Sequence, residues 1–227
     1  MTKNTWTRQY IDNDMMWPSE NLIRMFKGKN YPDCHLSMND YTHASLLDVG
    51  CGDANNFPLY SQLGFKKLCG VEITEEICQL NEERLSRMGI YAEMRVGTND
   101  AIPWEETFDY LVSWNAGYYM GVLDHYFMFE DYLEEFSRVL KKNGIFIFSI
   151  PMSDHDIFLH SETINEKYSV IQEDMLGIRN GVVFRKFKDE KDLRETLALF
   201  FEDIHLGSIR DNYFGVRGNW HIGYCRK

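Results

Sequence analysis

Apolar positions along the chain switch repeatedly between the short runs of a buried strand and the 3.6-residue spacing of a helix. Leu46 and Leu47 lead through Asp48 and Val49 into Gly50, which predicts a strand over 45–50. A short helix over 57–63 follows, stopped by Gly64, and a second apolar strand is expected over 67–73. Thr74 caps a helix with Glu75 and Glu76 in its first turn, where acids favour the helix dipole. Its apolar residues Ile77, Leu80, Leu85 and Met88 share one stripe, and Gly89 ends it. Strands are expected at 91–96 and 108–114. Phe129, Tyr132, Leu133, Phe136, Val139 and Leu140 then recur at helical spacing, closed by Lys141 and Lys142, and Asn143-Gly144 turns the chain into a strand over 145–150.

This alternation predicts an α/β, doubly wound, mainly parallel sheet with helices on both faces. After Pro151 the pattern breaks. Residues 152–187 read as an insertion with two short strands, near 168–171 and 182–184. A helix over 189–199 and an antiparallel pair over 201–209 and 213–225 complete the chain. We read 1–227 as one domain. Within it, 1–44 is a lid-like segment rich in Trp6, Tyr10, Met15, Met16 and Trp17, with a short helix starting at Ser19-Glu20-Asn21. The 152–187 insertion is the expected substrate cap.

The chemistry concentrates where the first strand ends. In Asp48-Val49-Gly50-Cys51-Gly52-Asp53-Ala54-Asn55, two glycines one residue apart suit a tight turn in which backbone passes close to a ligand. The second strand ends in Glu72, placed for a carboxylate to accept from both hydroxyls of a ribose. Together they indicate a cofactor containing a nucleoside. A dinucleotide site wants a third glycine, where Asn55 stands, and no phosphate-binding lysine follows, so a nicotinamide dehydrogenase is the disfavoured alternative.

The segment resembles the first motif of the class I S-adenosylmethionine (AdoMet) methyltransferases, D/E-x-G-x-G-x-G, with Ala54 in place of the last glycine, and the resemblance extends over about 46–150. It implies a Rossmann-like sheet of seven strands whose last strand is antiparallel and slots between the fifth and sixth. It implies AdoMet as cofactor, bound by Asp48, Gly50, Cys51, Gly52, Glu72 and Ile73. The stretch Gly97-Thr98-Asn99-Asp100-Ala101-Ile102-Pro103-Trp104 is similar to the family's third motif, so Asn99 and Asp100 are expected at the adenine. After the fourth strand, Asn115-Ala116-Gly117-Tyr118 keeps only the ends of the N-P-P-Y found in amino-methyltransferases of nucleobases and glutamine. Asn115 and Tyr118 are therefore candidate catalytic residues, Asn115 also touching cofactor. An asparagine carbonyl can accept from a nitrogen nucleophile.

His125 is the candidate general base, because it precedes the fourth helix on the reactive side and histidine titrates near neutrality. Trp17, Tyr119, His155 and Arg179 are the candidate acceptor contacts. Arg179, Arg185 and Lys186 are placed to meet an anionic group. Asp154-His155-Asp156 with His160 matches no ligand spacing, so no metal is expected.

Bulk properties narrow the partners. With 35 acids against 24 Lys plus Arg, the net charge of −11 disfavours nucleic acid as substrate. Five scattered cysteines without a C-x-x-C pair suit a reducing, cytoplasmic setting. The N-terminal residues show no signal-peptide pattern, and no apolar run reaches the ~20 residues that span a bilayer. The expected activity is methyl transfer to an oxygen or nitrogen of a small molecule: a metabolite, sugar or phosphorylated compound. The alternatives are a protein or nucleic-acid amino-methyltransferase and a non-catalytic subunit keeping the fold. Oligomeric state is open.

Overall fold

The computed structural model describes Tyr10 and residues 16–227. Helix α1 (Glu20–Lys27) precedes β1 (Ser45–Val49), α2 (Phe57–Leu63), β2 (Lys67–Glu72), α3 (Glu75–Arg87), β3 (Glu93–Val96) and β4 (Phe108–Ser113). The chain continues through β5 (Tyr119–Val122), β6 (His125–Tyr126), α4 (Phe129–Val139) and β7 (Leu140–Pro151). It closes with β8 (Ser161–Thr163), β9 (Tyr168–Ile171), β10 (Val182–Arg185), α5 (Glu190–Leu197), β11 (Glu202–Tyr213) and β12 (Val216–Arg226).

Seven strands form the main sheet in the order β11-β12-β7-β4-β1-β2-β3. The pairs β7-β4, β4-β1, β1-β2 and β2-β3 are parallel, and β12 runs antiparallel to both neighbours. This is the Rossmann-like methyltransferase sheet, with the last strand antiparallel and inserted beside the one before it. The central strands β1, β2 and β4 and the second half of β7 are buried on both faces. Leu47, Val49, Phe146 and Phe148 pack with α4 and α5, whereas Leu46, Val112, Ile145 and Ile147 pack with α1, α2 and α3. A period of two along each strand thus feeds two separate cores.

The helix ends follow from local chemistry. The Thr74 hydroxyl accepts from the Ile77 N–H at 3.3 Å to cap α3, and Gly89 leaves it with a φ of +71°. At α4 the Asp131 carboxylate reaches back to the Met128 N–H at 2.9 Å, and the stripe Phe129, Tyr132, Leu133, Phe136 and Val139 is buried as its spacing predicted.

Three of the five strands of a second sheet have no counterpart in the sequence pattern. Five short strands form it in the order β6-β5-β10-β9-β8. The pattern predicts only β9 and β10, within 152–187; β8 lies unannounced in the same stretch, and β5 and β6 come from the link after β4. They are brief and interrupted by Gly121, and their partner β10 lies some sixty residues further on, so no local pattern announces them. Arg185 at the end of β10 is fully buried rather than free to meet an anion. Its guanidinium lies 3.8 Å from the Phe187 ring centroid, donates to the carbonyls of Lys167 and Lys186, and pairs with Asp192 at 3.3 Å. It pins this sheet to α5.

Residues 1–9 and 11–15 of the expected lid lie outside the described residues. Within them, the Ser19 N–H donates to the buried Asn56 side chain at 2.9 Å, which ties the start of α1 to the β1–α2 loop. Among the described residues no helix is long and apolar enough to cross a membrane.

Candidate functional site

The carboxyl ends of β1, β2 and β4 open onto a cavity of about 430 Å³, where ligands sit in open α/β sheets. Gly50 (φ +70°), Gly52 (φ +59°) and Ala54 (φ +58°) all take left-handed backbone, so the departure from glycine at Ala54 keeps the turn at a modest cost in strain. A Cβ on Gly50 would stand 2.5 Å from that of Ala116, so only glycine lets the β1 and β4 loops approach this closely.

Two buried side chains fix this loop. Glu72 accepts from the Gly52 N–H at 2.7 Å through Oε1 and from the Ile73 N–H at 2.8 Å through Oε2. Asn81 on α3 donates to the Gly52 carbonyl at 2.8 Å. Sequence reasoning passed over Asn81, although a polar residue on the apolar stripe between Ile77 and Leu85 is the signal that marks it. Tyr10 was noted only as part of an aromatic-rich tail. It lines the cavity, and its hydroxyl would lie 3.1 Å from a Cβ on Gly52.

Burial pushes the Glu72 carboxyl up to about 7, against the opposing pull of the Ile73 and Gly52 N–H groups. Asp48 is likewise pushed up to about 7, by burial first; the Tyr60 hydroxyl donating to it at 2.8 Å opposes the rise and Glu72 adds to it. Asp48, Cys51 and Gly52 do not line the cavity. Gly50, Glu72, Ile73, Asn99, Asp100 and Asn115 form part of its surface. Thr98 and Ala101 exchange backbone hydrogen bonds at 3.1 and 3.3 Å, which closes a turn that presents Asn99 and Asp100 inward.

The reactive end is built differently from expectation. Asn115 (φ +57°) lines the cavity, but its Oδ1 accepts from the Ser149 hydroxyl at 2.7 Å, and Ser149 Oγ in turn accepts from the Asn115 N–H at 2.8 Å. One of the two lone pairs of the carbonyl oxygen foreseen as acceptor for a nucleophile is thus used, which leaves Asn115 the other and its amide NH2. Tyr118 is buried away from the cavity and stacks on Tyr119, ring centroids 4.8 Å apart. Tyr119 does line the cavity, with the Tyr118 hydroxyl and Arg179 both hydrogen-bonded to its phenol.

The remaining candidates lie off the cavity wall. His125 is an exposed residue at the edge of the second sheet, its ring against Phe127. Trp17 is 73% exposed and does not line the cavity. The His155 Nδ1 accepts from the Ile157 N–H at 2.9 Å and its ring meets Trp220, a capping role; burial and the Arg179 charge push it down to about 4, so it is neutral near pH 7. Arg179 stands behind Tyr119, 2.6 Å from Asp174. Among the described residues no cluster of three or more His, Cys, Asp or Glu is arranged to hold a metal.

These features agree with AdoMet: a glycine cradle that side chains would fill, a two-oxygen acid at the tip of β2, and no phosphate-binding cation among the described residues of the wall. A family model described as a methyltransferase domain matches residues 41–198. Among solved structures, a SAM-dependent methyltransferase from Methanosarcina mazei is 18% identical, with 87% of this chain and 97% of that one covered at a TM-score of 0.66. A protein from Pyrococcus horikoshii is 18% identical over 97% and 99% at 0.60. A S-adenosylmethionine-dependent methyltransferase from Clostridium acetobutylicum is 12% identical over 91% and 96%, also at 0.60. At such identities the likeness is one of fold. No curated protein matches the chain in sequence. The family match spans well over half the chain and includes the whole glycine cradle, so the chain belongs to the methyltransferase-domain family and is a class I AdoMet-dependent methyltransferase.

Proposed function

We propose that the protein methylates an oxygen or nitrogen of a small molecule, in the cytoplasm. The observation that carries this is the size of the cavity, about 430 Å³ and bounded by the short β5 and β10 strands and by Tyr10, which suits small-molecule ligands. The five cysteines are unpaired, which suits a reducing compartment.

AdoMet supplies an electrophilic methyl carbon on a sulfonium. In the transfer the acceptor's lone pair forms the new bond to that carbon, the pair of the broken C–S bond stays on sulfur, and the acceptor's proton passes to water. The protein's contribution is placement. Glu72 has two of its roughly four lone-pair sites left for ribose hydroxyls after Gly52 and Ile73 are served. Asn99 and Asp100, on the cavity wall, would meet the base, and the left-handed Gly50–Gly52 turn would let the methionine portion pass against backbone. Tyr119, held by Tyr118 and Arg179, offers a fixed phenol at the far side.

The test is calorimetric titration with AdoMet and S-adenosylhomocysteine, with NADH as control, followed by a screen of small methyl acceptors. Micromolar binding of the first two and none of NADH is expected. A folded protein that binds neither would sink the proposal.

A further inference from the structure

The cofactor residues account for only part of the cavity. One side of its wall is formed by Tyr119, Gly121, Val122, Phe127, Tyr132 and Val182, drawn from β5, β10, the first turn of α4 and the link that precedes it. Two valines and three aromatic rings make this wall apolar. Few of its polar atoms are free, since the Tyr132 hydroxyl is spent on the Tyr119 carbonyl at 2.7 Å. Gly121 (φ +119°) is held bare because a Cβ would come within 2.7 Å of the His125 carbonyl, which leaves a flat patch of backbone.

The charge on the wall is one-sided. Glu72 and Asp100 line the cavity, and no lysine, arginine or histidine does so among the described residues. Arg179 stands nearby but is already matched. Its Nε and Nη2 lie 2.7 and 2.6 Å from Asp174 Oδ1, and the Asp174 side chain, only 2% exposed, also accepts from the Ile178 and Arg179 N–H groups. With S-adenosylhomocysteine bound, an anion brought into the cavity would lose its hydration next to two acids and gain no free cation from the described wall.

We propose that this half of the cavity is an acceptor subsite for an uncharged compound with a flat apolar body, which presents its nucleophile to the Tyr119 phenol, and that it rejects carboxylates and phosphates. The inference rests on the methyl-transfer reading above and narrows it, setting the phosphorylated class aside.

Protein saturated with S-adenosylhomocysteine is titrated with 2-naphthol, 2-naphthoate and 2-naphthyl phosphate. Naphthol is expected to bind, and both anions at least tenfold more weakly. Val122→Lys, at a position 39% exposed and so tolerant of a long side chain, is expected to narrow or invert that preference while S-adenosylhomocysteine affinity stays within twofold. Val182→Asp, at a buried position, is expected to weaken naphthol at least tenfold if it folds. Anions bound as tightly as naphthol, or no naphthol binding to a protein that holds S-adenosylhomocysteine, would overturn the subsite alone. Failure of a folded protein to bind S-adenosylhomocysteine would overturn the methyl-transfer reading with it.

Discussion

Glu72 gives the sharpest test of the cofactor site, because its two oxygens are already held at 2.7 and 2.8 Å by backbone and it is still expected to serve a ribose. Its carboxyl is pushed from the ordinary 4.5 up to about 7 by burial. That rise disfavours the charged form in the ligand-free protein by about 3 kcal/mol. An unfolded glutamate releases its proton near 4.5 and the folded one near 7. Between those values the folded state holds more protons, so ligand-free stability falls as pH rises through this window and levels off above it. Cofactor binding runs the other way, because a ribose hydroxyl donates best to an ionised oxygen. Affinity for S-adenosylhomocysteine should therefore be about tenfold weaker at pH 6 than at pH 8, with close to one proton released per site at pH 6. Glu72→Gln removes the charge and leaves a single acceptor oxygen. A lost hydrogen bond to a charged group is worth about 1.5–3 kcal/mol, so a 10- to 100-fold loss at pH 8 is expected, with the pH dependence flattened. Calorimetry in buffers of different ionisation enthalpy reads both affinity and proton release, and thermal melts confirm that the variant is folded. Equal affinity at pH 6 and pH 8 in the wild type, with a twofold or smaller loss in Glu72→Gln, would refute the assignment.

Other expectations follow from the same geometry. Asp48→Asn keeps a partner for the Tyr60 hydroxyl while removing a buried acid pushed up to about 7; it should raise the melting temperature of ligand-free protein at pH 8 and change it little at pH 4, the reverse pattern being incompatible with this environment. Gly50→Ala combines positive φ with a 2.5 Å clash against Ala116, and should abolish detectable AdoMet binding in a titration; retained micromolar affinity would mean that the cradle relaxes freely. Arg185→Ala strips the partner from Asp192 and from two carbonyls in the second sheet, and should cost about 3 kcal/mol in urea unfolding, whereas a loss below 1 kcal/mol would show the buried cation to be dispensable. His125→Ala should leave turnover within twofold, since the ring stands outside the cavity wall; a loss of a hundredfold or more would return the general-base role to it.

The chain's own pattern was enough for the parallel core and the cofactor end of the site. Apolar runs closed by glycine or by a capped helix are short-range signals: they place β1, β2, α3, α4 and the Gly50–Gly52 turn without reference to anything distant, and Glu72 follows from Asp48 by strand length. Each is decided by sterics and burial within about twenty residues. The acceptor end is the opposite case. The hairpin of β5 and β6 exists only because Val182 and Phe184 arrive from beyond residue 180 to pair with it. That distant pairing places Tyr119 and Val122 on the cavity wall, leaves His125 at the sheet edge, and buries Arg185, none of which a local period encodes. Arg179 reads in sequence as a free cation because the loop that folds Asp174, five residues earlier, back onto it has no periodic signal. Backbone geometry near a strand end is local and legible, whereas the charge and shape of a chamber assembled from separate segments belong to the tertiary structure.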